Sequence, residues 1–335
     1  MKILVAPLNW GLGHASRCVP LVRRLLDEGH EVILGGDGES LTLLRAHFPK
    51  LRYVYLAPLH LRYSKGRSQV GAMLCALPKL LWWAIKDHAI LKAVLKEEHF
   101  DQVISDNRFG LYSVNERSER SVLCQANPVC IYMTHQLHIM LPKGWKWLEP
   151  LVARLHARIY MRYNKVWVPD YEEPEKSLAG DLSRVPSSFH LSPFAFQYIG
   201  PLSRFSTAND QRPTASDKYD IVAVLSGLEP HRTLLEQDII ARYAGSSVLI
   251  VQGLMHRPNT RIKRGYITIV PRMDDAELAE VLRNAKHIIA RSGYSTIMDL
   301  DALGILDKAE LIPTPGQPEQ EYLAARFVEK NAEKC

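Results

Sequence analysis

The order of the first elements of the chain constrains the fold most. A strand, a tight loop and a helix are followed by a second strand. Residues 2–8 are a short apolar run, which is typical of a buried parallel strand. Residues 15–28 place apolar side chains at helical spacing, and residues 30–34 are apolar again after a glycine. Two strands joined through a helix cannot pair as a hairpin, so the pattern predicts a βαβ unit and a parallel sheet.

The same alternation continues through the first half of the chain and restarts in the second half. Four further strands are predicted in the first half, at residues 53–56, 102–105, 130–134 and 165–168, with helical stretches around 73–97 and 147–162. In the second half, strands are predicted at 220–225, 248–252, 267–270, 287–290 and 310–313, with helices at 232–243, 275–283, 292–303 and 319–334.

A polar segment separates the two series. Residues 200–218 are rich in Ser, Pro and charged side chains, a composition typical of a linker. The predicted fold class is therefore α/β, with one Rossmann-like parallel-sheet domain at residues 1–199 and another at 219–335. Ligands of such sheets bind outside the carboxyl ends of the strands, so we expect a site in a cleft between two facing domains.

Composition excludes several other classes of protein. Hydrophobic residues make up 47% and charged residues 23% of the 335 residues, which is the mix of a globular protein. The five cysteines form no Cys-x-x-Cys pair, so neither a disulfide framework nor a metal site is expected. The chain contains no apolar run of the roughly 18 residues that a membrane span needs, and its start does not have the pattern of a signal peptide. We therefore expect a cytoplasmic protein.

A glycine loop with a histidine follows the first predicted strand. Residues 9–17 read NWGLGHASR, and glycines at this point let the backbone approach a ligand closely. His14 stands at the start of the next helix, where the positive end of the helix dipole disfavours an imidazolium. A neutral ring can accept a proton, so His14 is a candidate catalytic base. The alternative is a histidine that only caps its own helix.

An aspartate follows the strand predicted at residues 102–105. Asp106 would lie at the same edge of a parallel sheet as the loop of His14, where a carboxylate could orient the imidazole. The alternative is an aspartate that forms a turn, which is common after any strand. His14 and Asp106 are thus the predicted catalytic pair.

Two segments of the second half have the chemistry of a nucleotide-sugar site. Residues 291–299 read RSGYSTIMD, a strand end, a glycine turn and a helix start whose N–H groups and hydroxyls suit a diphosphate. Asp299 could accept two hydrogen bonds from a ribose; the alternative is a capped helix with a solvent-facing aspartate. Residues 313–320 form a proline-rich loop with two amides, which bind hydroxyl-rich ligands well. The alternative here is a surface turn.

This series of motifs resembles the GT-B glycosyltransferases, and most closely the MurG-like family that uses UDP-N-acetylglucosamine (glycosyltransferase family 28). Residues 12–14 are similar to the family's first glycine loop, and residues 291–299 match its donor motif at identical spacing. Asp299 stands in place of the glutamate with which that family binds the ribose. His14 with Asp106 is also similar to the His–Asp dyad of the related plant-type family.

The resemblance extends almost from end to end. Residues 226–233 correspond to the family's second glycine loop, 270–273 to the strand end that reads uracil, and 313–320 to the loop that holds the donor sugar. The family continues with a further helix after the point where this chain ends, so the resemblance implies a shortened chain. The residues predicted to bind the nucleotide sugar are Gly13, Ser226, Gly227, Arg272, Met273, Ser292, Gly293, Tyr294, Ser295, Thr296, Asp299, Gln317 and Gln320. Those predicted to bind the acceptor are Asn9, Trp10, Arg108, His135 and Gln136.

The resemblance implies an inverting, metal-independent glycosyltransferase. It would move a sugar from a UDP-sugar such as UDP-GlcNAc to an acceptor hydroxyl, with no cofactor besides this nucleotide-sugar co-substrate. Helix N-termini and hydroxyls would hold the leaving diphosphate. Two alternatives have the same fold: a UDP-sugar 2-epimerase, which needs no separate acceptor pocket, and a catalytically silent nucleotide-sugar-binding protein.

Charge and tryptophans in the first half point to the acceptor. Residues 1–170 carry 23 Lys and Arg against 14 Asp and Glu, a balance of +9, whereas the rest of the chain has a balance of −3. Trp82-Trp83 and the sequence KGWKW at 143–147 combine tryptophans with basic residues, as membrane-interface surfaces do. The basic residues Arg154, Arg158, Arg162 and Lys165 recur at steps of four, four and three, which predicts one helix face.

These features predict a lipid-linked or otherwise anionic acceptor and a peripheral contact with the inner face of the cell membrane. The alternative is a solvated basic face with the tryptophans in the core. Nucleic acid is not expected as a partner, since no recognised nucleic-acid module occurs in the sequence.

Overall fold

The structure, a computed structural model, describes residues 1–59, 70–114, 127–185, 196–206, 218–227 and 229–332. Residues 207–217 of the predicted linker and Leu228 of the second glycine loop lie outside these ranges. The described residues form two sheets of strands connected through helices, and each sheet is built around a run of parallel strands.

The strands of the first sheet are all parallel and lie in the order β3-β2-β1-β4-β5-β6-β7. They are β1 (Lys2–Pro7), β2 (Glu31–Gly36), β3 (Tyr53–Tyr55), β4 (Gln102–Asp106), β5 (Val129–Met133), β6 (Lys165–Val168) and β7 (Phe196–Tyr198). The helices of this part of the chain are α1 (Gly13–Asp27), α2 (Gly38–His47), α3 (Val70–Glu97) and α4 (Glu149–Tyr160).

The strands of the second sheet lie in the order β10-β11-β9-β8-β12-β13, and only the pairing of β10 with β11 is antiparallel. They are β8 (Ile221–Val224), β9 (Val248–Val251), β10 (Ile262–Arg264), β11 (Ile267–Val270), β12 (His287–Arg291) and β13 (Ala309–Ile312). The helices are α5 (His231–Arg242), α6 (Asp275–Asn284), α7 (Tyr294–Ala302) and α8 (Pro318–Ala332).

Short apolar runs form the centre of the first sheet. Five of the six residues of β1 are buried, and Leu4 lies in register with Ile33 of β2 and Val103 of β4. A central strand of a parallel sheet is covered on both faces, so nearly all of its side chains must be apolar. This is why the opening βαβ unit could be predicted from its sequence.

Helices α3 and α4 cover the same face of the first sheet. Leu91 of α3 and Tyr160 of α4 belong to one buried cluster with Leu4 of β1 and Val103 of β4. Since all four side chains bury surface in this one cluster, the outward surfaces of the two helices lie on the same side of the sheet.

The chain divides into two compact units. As far as they are described, the first contains Met1–Asn9, residues 21–59 and residues 73–201, and the second contains Trp10–Pro20, residues 70–72 and the chain from Leu202 onward. The loop after β1 and the first half of α1 thus belong with the second unit, whereas the predicted division placed them in the first.

The structure corrects the helix predicted around residues 147–162. Helix α4 ends at Tyr160, where the N–H groups of Arg162 and Tyr163 turn back to the carbonyl oxygens three residues earlier. Lys165 then begins β6. The prediction that Arg162 and Lys165 share one helix face with Arg154 and Arg158 is therefore wrong.

Candidate functional site

Three loops meet at the carboxyl edge of the second sheet. Strands β8, β12 and β13 are neighbours and run parallel, so the loops that follow them leave the sheet at one edge. These loops lead into α5, α7 and α8, and the first N–H groups of a helix have no carbonyl partner within a regular α-helix. We refer to the described residues between each of these strands and the start of its helix as the three-loop edge.

Arg291 lies inside the three-loop edge and links two of its loops by hydrogen bonds. It is the last residue of β12, and its terminal nitrogens donate to the carbonyl oxygens of His231 at 2.7 Å and of Pro313 at 3.0 Å. The residue is buried, and this burial lowers the pKa of the guanidinium. Among the described residues, the Nε atom of Arg291 and the Nε2 atom of His231 have no hydrogen-bond partner. A buried positive charge with an unpaired nitrogen suits an anionic ligand.

The predicted donor motif and the predicted amide loop lie against each other at this edge. The hydroxyl of Ser292 donates to the backbone carbonyl of Gln320 at 2.8 Å, and the side-chain carbonyl of Gln320 accepts from the N–H of Thr314 at 2.8 Å. Gly293 is the N-cap of α7, and its carbonyl oxygen accepts from the N–H of Thr296 at 3.0 Å in the first turn of that helix. The structure thus brings Ser292, Gly293 and Gln320 together, and their binding of a nucleotide sugar stays a prediction.

Asp299 lies in α7 and is buried, with an exposed fraction of 8%. One carboxylate oxygen accepts from the Ser203 hydroxyl at 2.7 Å and the other from Nε of Arg204 at 3.2 Å. Burial raises the pKa of this carboxyl group, while Arg204 and Ser203 act in the opposite direction. The alternative of a solvent-facing aspartate is wrong, because the carboxylate anchors the chain just after Pro201 to α7.

Ser203 and Arg204 were not identified from the sequence. They lie within the polar segment that predicts a linker, and no local pattern indicates that they pair with a residue about 95 positions away. A ribose-binding role for Asp299 stays a prediction, and both of its carboxylate oxygens already accept hydrogen bonds within the protein.

The first glycine loop lies against the start of α7, within the second unit. A Cβ atom added to Gly13 would overlap the hydroxyl oxygen of Ser295 and lie 3.3 Å from its Cβ atom. A side chain at residue 13 would therefore require the Ser295 hydroxyl to shift, as expected where a glycine permits close approach. Two predicted nucleotide-sugar residues, about 280 positions apart in the sequence, are thus direct neighbours.

His14 and Arg17 form a hydrogen-bonded pair on α1. A terminal nitrogen of Arg17 lies 2.9 Å from Nδ1 of His14, and Arg17 is almost fully buried. Residues three apart share a helix face, so the spacing was visible in the sequence, although it did not show that the guanidinium turns toward the ring. The predicted pairing of His14 with Asp106 stays a prediction.

Asp106 is the last residue of β4 and is fully buried. It is followed by Asn107, whose φ of 57° lies in the left-handed region that Asn tolerates better than most residues. The Asn107 side-chain oxygen accepts from the Tyr132 hydroxyl at 2.9 Å, and that hydroxyl lies 3.2 Å from Nε2 of the buried His156. This chain of hydrogen bonds fixes the turn directly after Asp106.

Arg108, which was predicted to bind the acceptor, is fully buried and all five of its N–H groups are used inside the protein. Two donate to Asp87 at 2.8 and 2.9 Å and one to Asp37 at 2.8 Å, and the other two donate to the carbonyl oxygens of Pro7 and Ala57. The prediction is therefore wrong, because Arg108 has no N–H group left for a ligand.

Asn9 belongs to the same network. Its side-chain nitrogen donates to Asp37 at 3.0 Å, and its side-chain oxygen accepts from the N–H of Ser40 at 3.3 Å. Asn9 thus ties the loop after β1 to the start of α2, a helix that was not predicted.

The other predicted acceptor residues lie in turns at the carboxyl edge of the first sheet. Trp10 follows β1 and is partly exposed; His135 and Gln136 follow β5, where His135 is buried and the N–H of Gln136 donates to Thr134 Oγ1 at 3.0 Å.

The remaining predicted donor residues are spread over the second unit. Ser226 and Gly227 lie in the loop after β8, and Gly227 has a φ of 91°. Thr296 and the buried Tyr294 lie in the first turn of α7, and the N–H of Gln317 donates to Thr314. Arg272 donates to the Met255 carbonyl oxygen, and Met273 packs against the core.

An exposed surface on α3 and α4 combines apolar and basic side chains. On α3, Trp82 is 54% exposed with the ammonium group of Lys86 3.8 Å from its ring centre, whereas Trp83 is buried. Before and along α4, the side chains of Trp147, Leu151 and Leu155 are 73%, 52% and 48% exposed. We call this surface, with the neighbouring Leu81, Ile85, Lys143, Lys146, Arg154 and Arg158, the α3–α4 surface.

No helix in the described ranges is both long and apolar enough to cross a membrane. Within the same ranges, no group of three or more His, Cys, Asp or Glu side chains could hold a metal ion, and metal independence stays a prediction.

Comparisons with known proteins connect this fold to glycosyltransferases. No family model matches the chain. Two proteins named as uncharacterized glycosyltransferases are similar along nearly its whole length. The one from Methanosarcina acetivorans is 24% identical over 97% of this chain and 83% of its own length. The one from Methanosarcina mazei is 22% identical over 98% of this chain and 84% of its own length.

Solved structures show the same fold. The spinosyn rhamnosyltransferase SpnG in complex with thymidine diphosphate superposes with a TM-score of 0.56 at 14% identity, covering 99% of this chain and 85% of its own. The glycosyltransferase of kitacinnamycin superposes with a TM-score of 0.52 at 14% identity, covering 98% of this chain and 89% of its own. The predicted fold class, two parallel-sheet α/β domains of the GT-B type, is confirmed.

Proposed function

We propose that this chain is a GT-B glycosyltransferase that moves a sugar from a nucleoside diphosphate to an acceptor hydroxyl. The observation that carries the proposal is the three-loop edge, where Arg291, the turn at Ser292 and Gly293 and the start of α7 lie together. The names of the archaeal relatives support the same activity. So does the complex of SpnG with thymidine diphosphate, since it shows a nucleoside diphosphate bound to this fold.

The chemistry of the three-loop edge suits the departing diphosphate. As the bond from the anomeric carbon to the diphosphate breaks, negative charge builds on the diphosphate oxygens. The N–H groups of α7 and the buried guanidinium of Arg291 can stabilise that charge. Attack of the acceptor oxygen from the opposite face of the sugar forms the new bond and inverts the anomeric configuration.

The finer proposal is a UDP-linked donor such as UDP-GlcNAc in a MurG-like enzyme, with metal-independent transfer. It rests on the spacing of residues 291–299 and on the amides of Gln317 and Gln320 in the neighbouring loop. His14 and Asp106 remain in this proposal as catalytic residues, and the hydrogen bond from Arg17 bears on which ring nitrogen of His14 carries the proton.

We propose further that the acceptor is lipid-linked and is met at a membrane surface. The α3–α4 surface supports this, because exposed tryptophans and leucines beside lysines and arginines suit the boundary between anionic head groups and acyl chains. Large apolar side chains that stay exposed and lie together are typical of interaction surfaces.

One experiment separates the proposed transferase from its alternatives. The protein is incubated with UDP-GlcNAc, UDP-glucose or dTDP-rhamnose, with or without dioleoylglycerol in vesicles or N-acetylglucosamine in solution, and the release of nucleoside diphosphate is measured. Release that needs an acceptor supports the transferase. Conversion of the sugar nucleotide without an acceptor indicates an epimerase, and binding without turnover indicates a silent binding protein.

Vesicle sedimentation tests the membrane contact. We expect the protein to sediment with phosphatidylglycerol vesicles at low salt more than with phosphatidylcholine vesicles, and less as salt screens the charges. Trp147→Ser with Leu151→Ser should lose this binding, whereas Val328→Ser, at an equally exposed site on α8, should not. Equal partitioning onto both vesicles, or none onto either, would leave a soluble acceptor.

A further inference from the structure

The contact between Arg17 and His14 determines which ring nitrogen of His14 carries a proton. A guanidinium has five N–H groups and no acceptor, so Arg17 can only donate in the 2.9 Å contact to Nδ1. Nδ1 must then carry the lone pair. In a neutral imidazole the proton is on the other nitrogen, Nε2.

Arg17 is built into the protein in a way that keeps this contact. It is 2% exposed and one helical turn from His14, so its side chain has little freedom to swing away. A His14 ring protonated at both nitrogens would set an N–H group against an N–H group of the guanidinium. The pair is therefore compatible with only one form of His14.

We propose that Arg17 is a positioning residue that holds His14 as the Nε2–H tautomer, and that His14 serves the site by donating a hydrogen bond through Nε2. This rests on the proposed function, because the oxygen that receives the hydrogen bond belongs to the donor sugar nucleotide or to the acceptor. General-base catalysis through Nε2 would need a lone pair at that nitrogen, which this tautomer does not have.

Two substitutions of His14 separate a donor from a base. The Gln side chain can place an N–H group near the position of Nε2 but cannot take up a proton, so His14→Gln should be clearly more active than His14→Ala. His14→Ala should lower kcat by roughly 10²–10³-fold, the usual cost of removing one donor to a developing charge. A His14→Gln variant as inactive as His14→Ala would overturn the donor role.

The role of Arg17 is measured directly by NMR. In protein labelled with ¹⁵N at histidine, the signals of His14 are identified by their absence in His14→Gln, and their shifts report the tautomer. We expect an unprotonated Nδ1 in the natural protein, loss of this single tautomer in Arg17→Met and its restoration in Arg17→Lys. The value of kcat should likewise fall in Arg17→Met and recover in Arg17→Lys, while KM changes little.

This readout keeps the two proposals apart. If no sugar nucleotide is turned over, the proposed function fails while the tautomer spectrum still tests the contact between Arg17 and His14. A His14 protonated at Nδ1 in the natural protein, or a spectrum unchanged in a folded Arg17→Met variant, would overturn the inference even if the protein is an active transferase.

Discussion

Gly13 lies so close to Ser295 that no Cβ atom fits between them. The first residue comes from the glycine loop after β1 and the second from the first turn of α7, and both were predicted to contact the nucleotide sugar. Through this contact the first glycine loop packs directly against the start of α7. It is the structural reason for a glycine at position 13, where the backbone has no positive φ.

Gly13→Ala should therefore destabilise the protein. The added methyl group overlaps the Ser295 hydroxyl, and overpacking of this kind costs about 1–3 kcal/mol. Urea unfolding measures the loss. Ser295→Gly removes the opposing atoms, so Gly13→Ala should cost much less in that background. An equal loss in both backgrounds would show that the strain arises elsewhere.

Asp299→Ala should lower the free energy of unfolding, because Ser203 and Arg204 lose their shared acceptor. We expect a loss of about 1–3 kcal/mol, and a smaller one for Ser203→Ala, which removes a single hydrogen bond. Calorimetry with UDP then tests the ribose role. If Asp299 binds the ribose, Asp299→Ala weakens UDP by about 1–3 kcal/mol while Ser203→Ala leaves the affinity unchanged.

Arg291→Met should weaken the binding of UDP far more than that of uridine. The guanidinium lies among loops that we propose to hold the diphosphate. The ratio of the UDP affinity to the uridine affinity therefore reports the contribution of the Arg291 charge. A general loss of structure would weaken both ligands alike and leave this ratio unchanged. We expect the ratio to fall by roughly tenfold or more, as for a lost charge-assisted hydrogen bond. Arg242→Met, on the exposed side of α5, is the matched control, and an unchanged ratio in Arg291→Met would remove Arg291 from the diphosphate site.

Arg108→Met should cost about 3–5 kcal/mol of stability, since it leaves the buried carboxylates of Asp87 and Asp37 without their cation. Burial already raises the pKa of Asp87, and Arg108 opposes that shift. The loss should therefore become smaller as the pH falls, because protonation of Asp87 removes the charge that Arg108 offsets. Urea unfolding at pH 7 and pH 4.5 measures this, and equal losses at both would contradict the ion-pair argument.

Stability should fall between about pH 6.5 and pH 4 because of His156. Complete burial lowers the pKa of this histidine from 6.5 to about 4 in the folded protein. Over that interval the unfolded chain binds a proton that the folded protein does not, so acid favours unfolding by up to roughly 3 kcal/mol. His156→Gln should flatten the pH dependence of urea unfolding in this interval, and His99→Gln, at an exposed position, should leave it as it is.

Local patterns predicted the elements whose two faces are both covered. The inner strands, among them β9 and β11, are short and fully buried runs, so their positions could be read without knowing their neighbours. The edge strands β7 and β10 are short, and all three residues of β10 are exposed, so nothing in their sequence distinguishes them from a loop. Helix α2 was missed for a related reason, since its start depends on Asn9 of another loop.

Local sequence patterns were enough to predict the parallel α/β architecture and the turn at residues 292 and 293, because both depend on residues that are near one another in the chain. Tertiary structure alone decided that Arg108 is bound by Asp37 and Asp87, and that Asp299 anchors residues 203 and 204. A charged side chain can contact a ligand, or it can be buried and stabilise the fold. Which of these it becomes depends on whether distant parts of the chain supply partners that offset the cost of removing it from water.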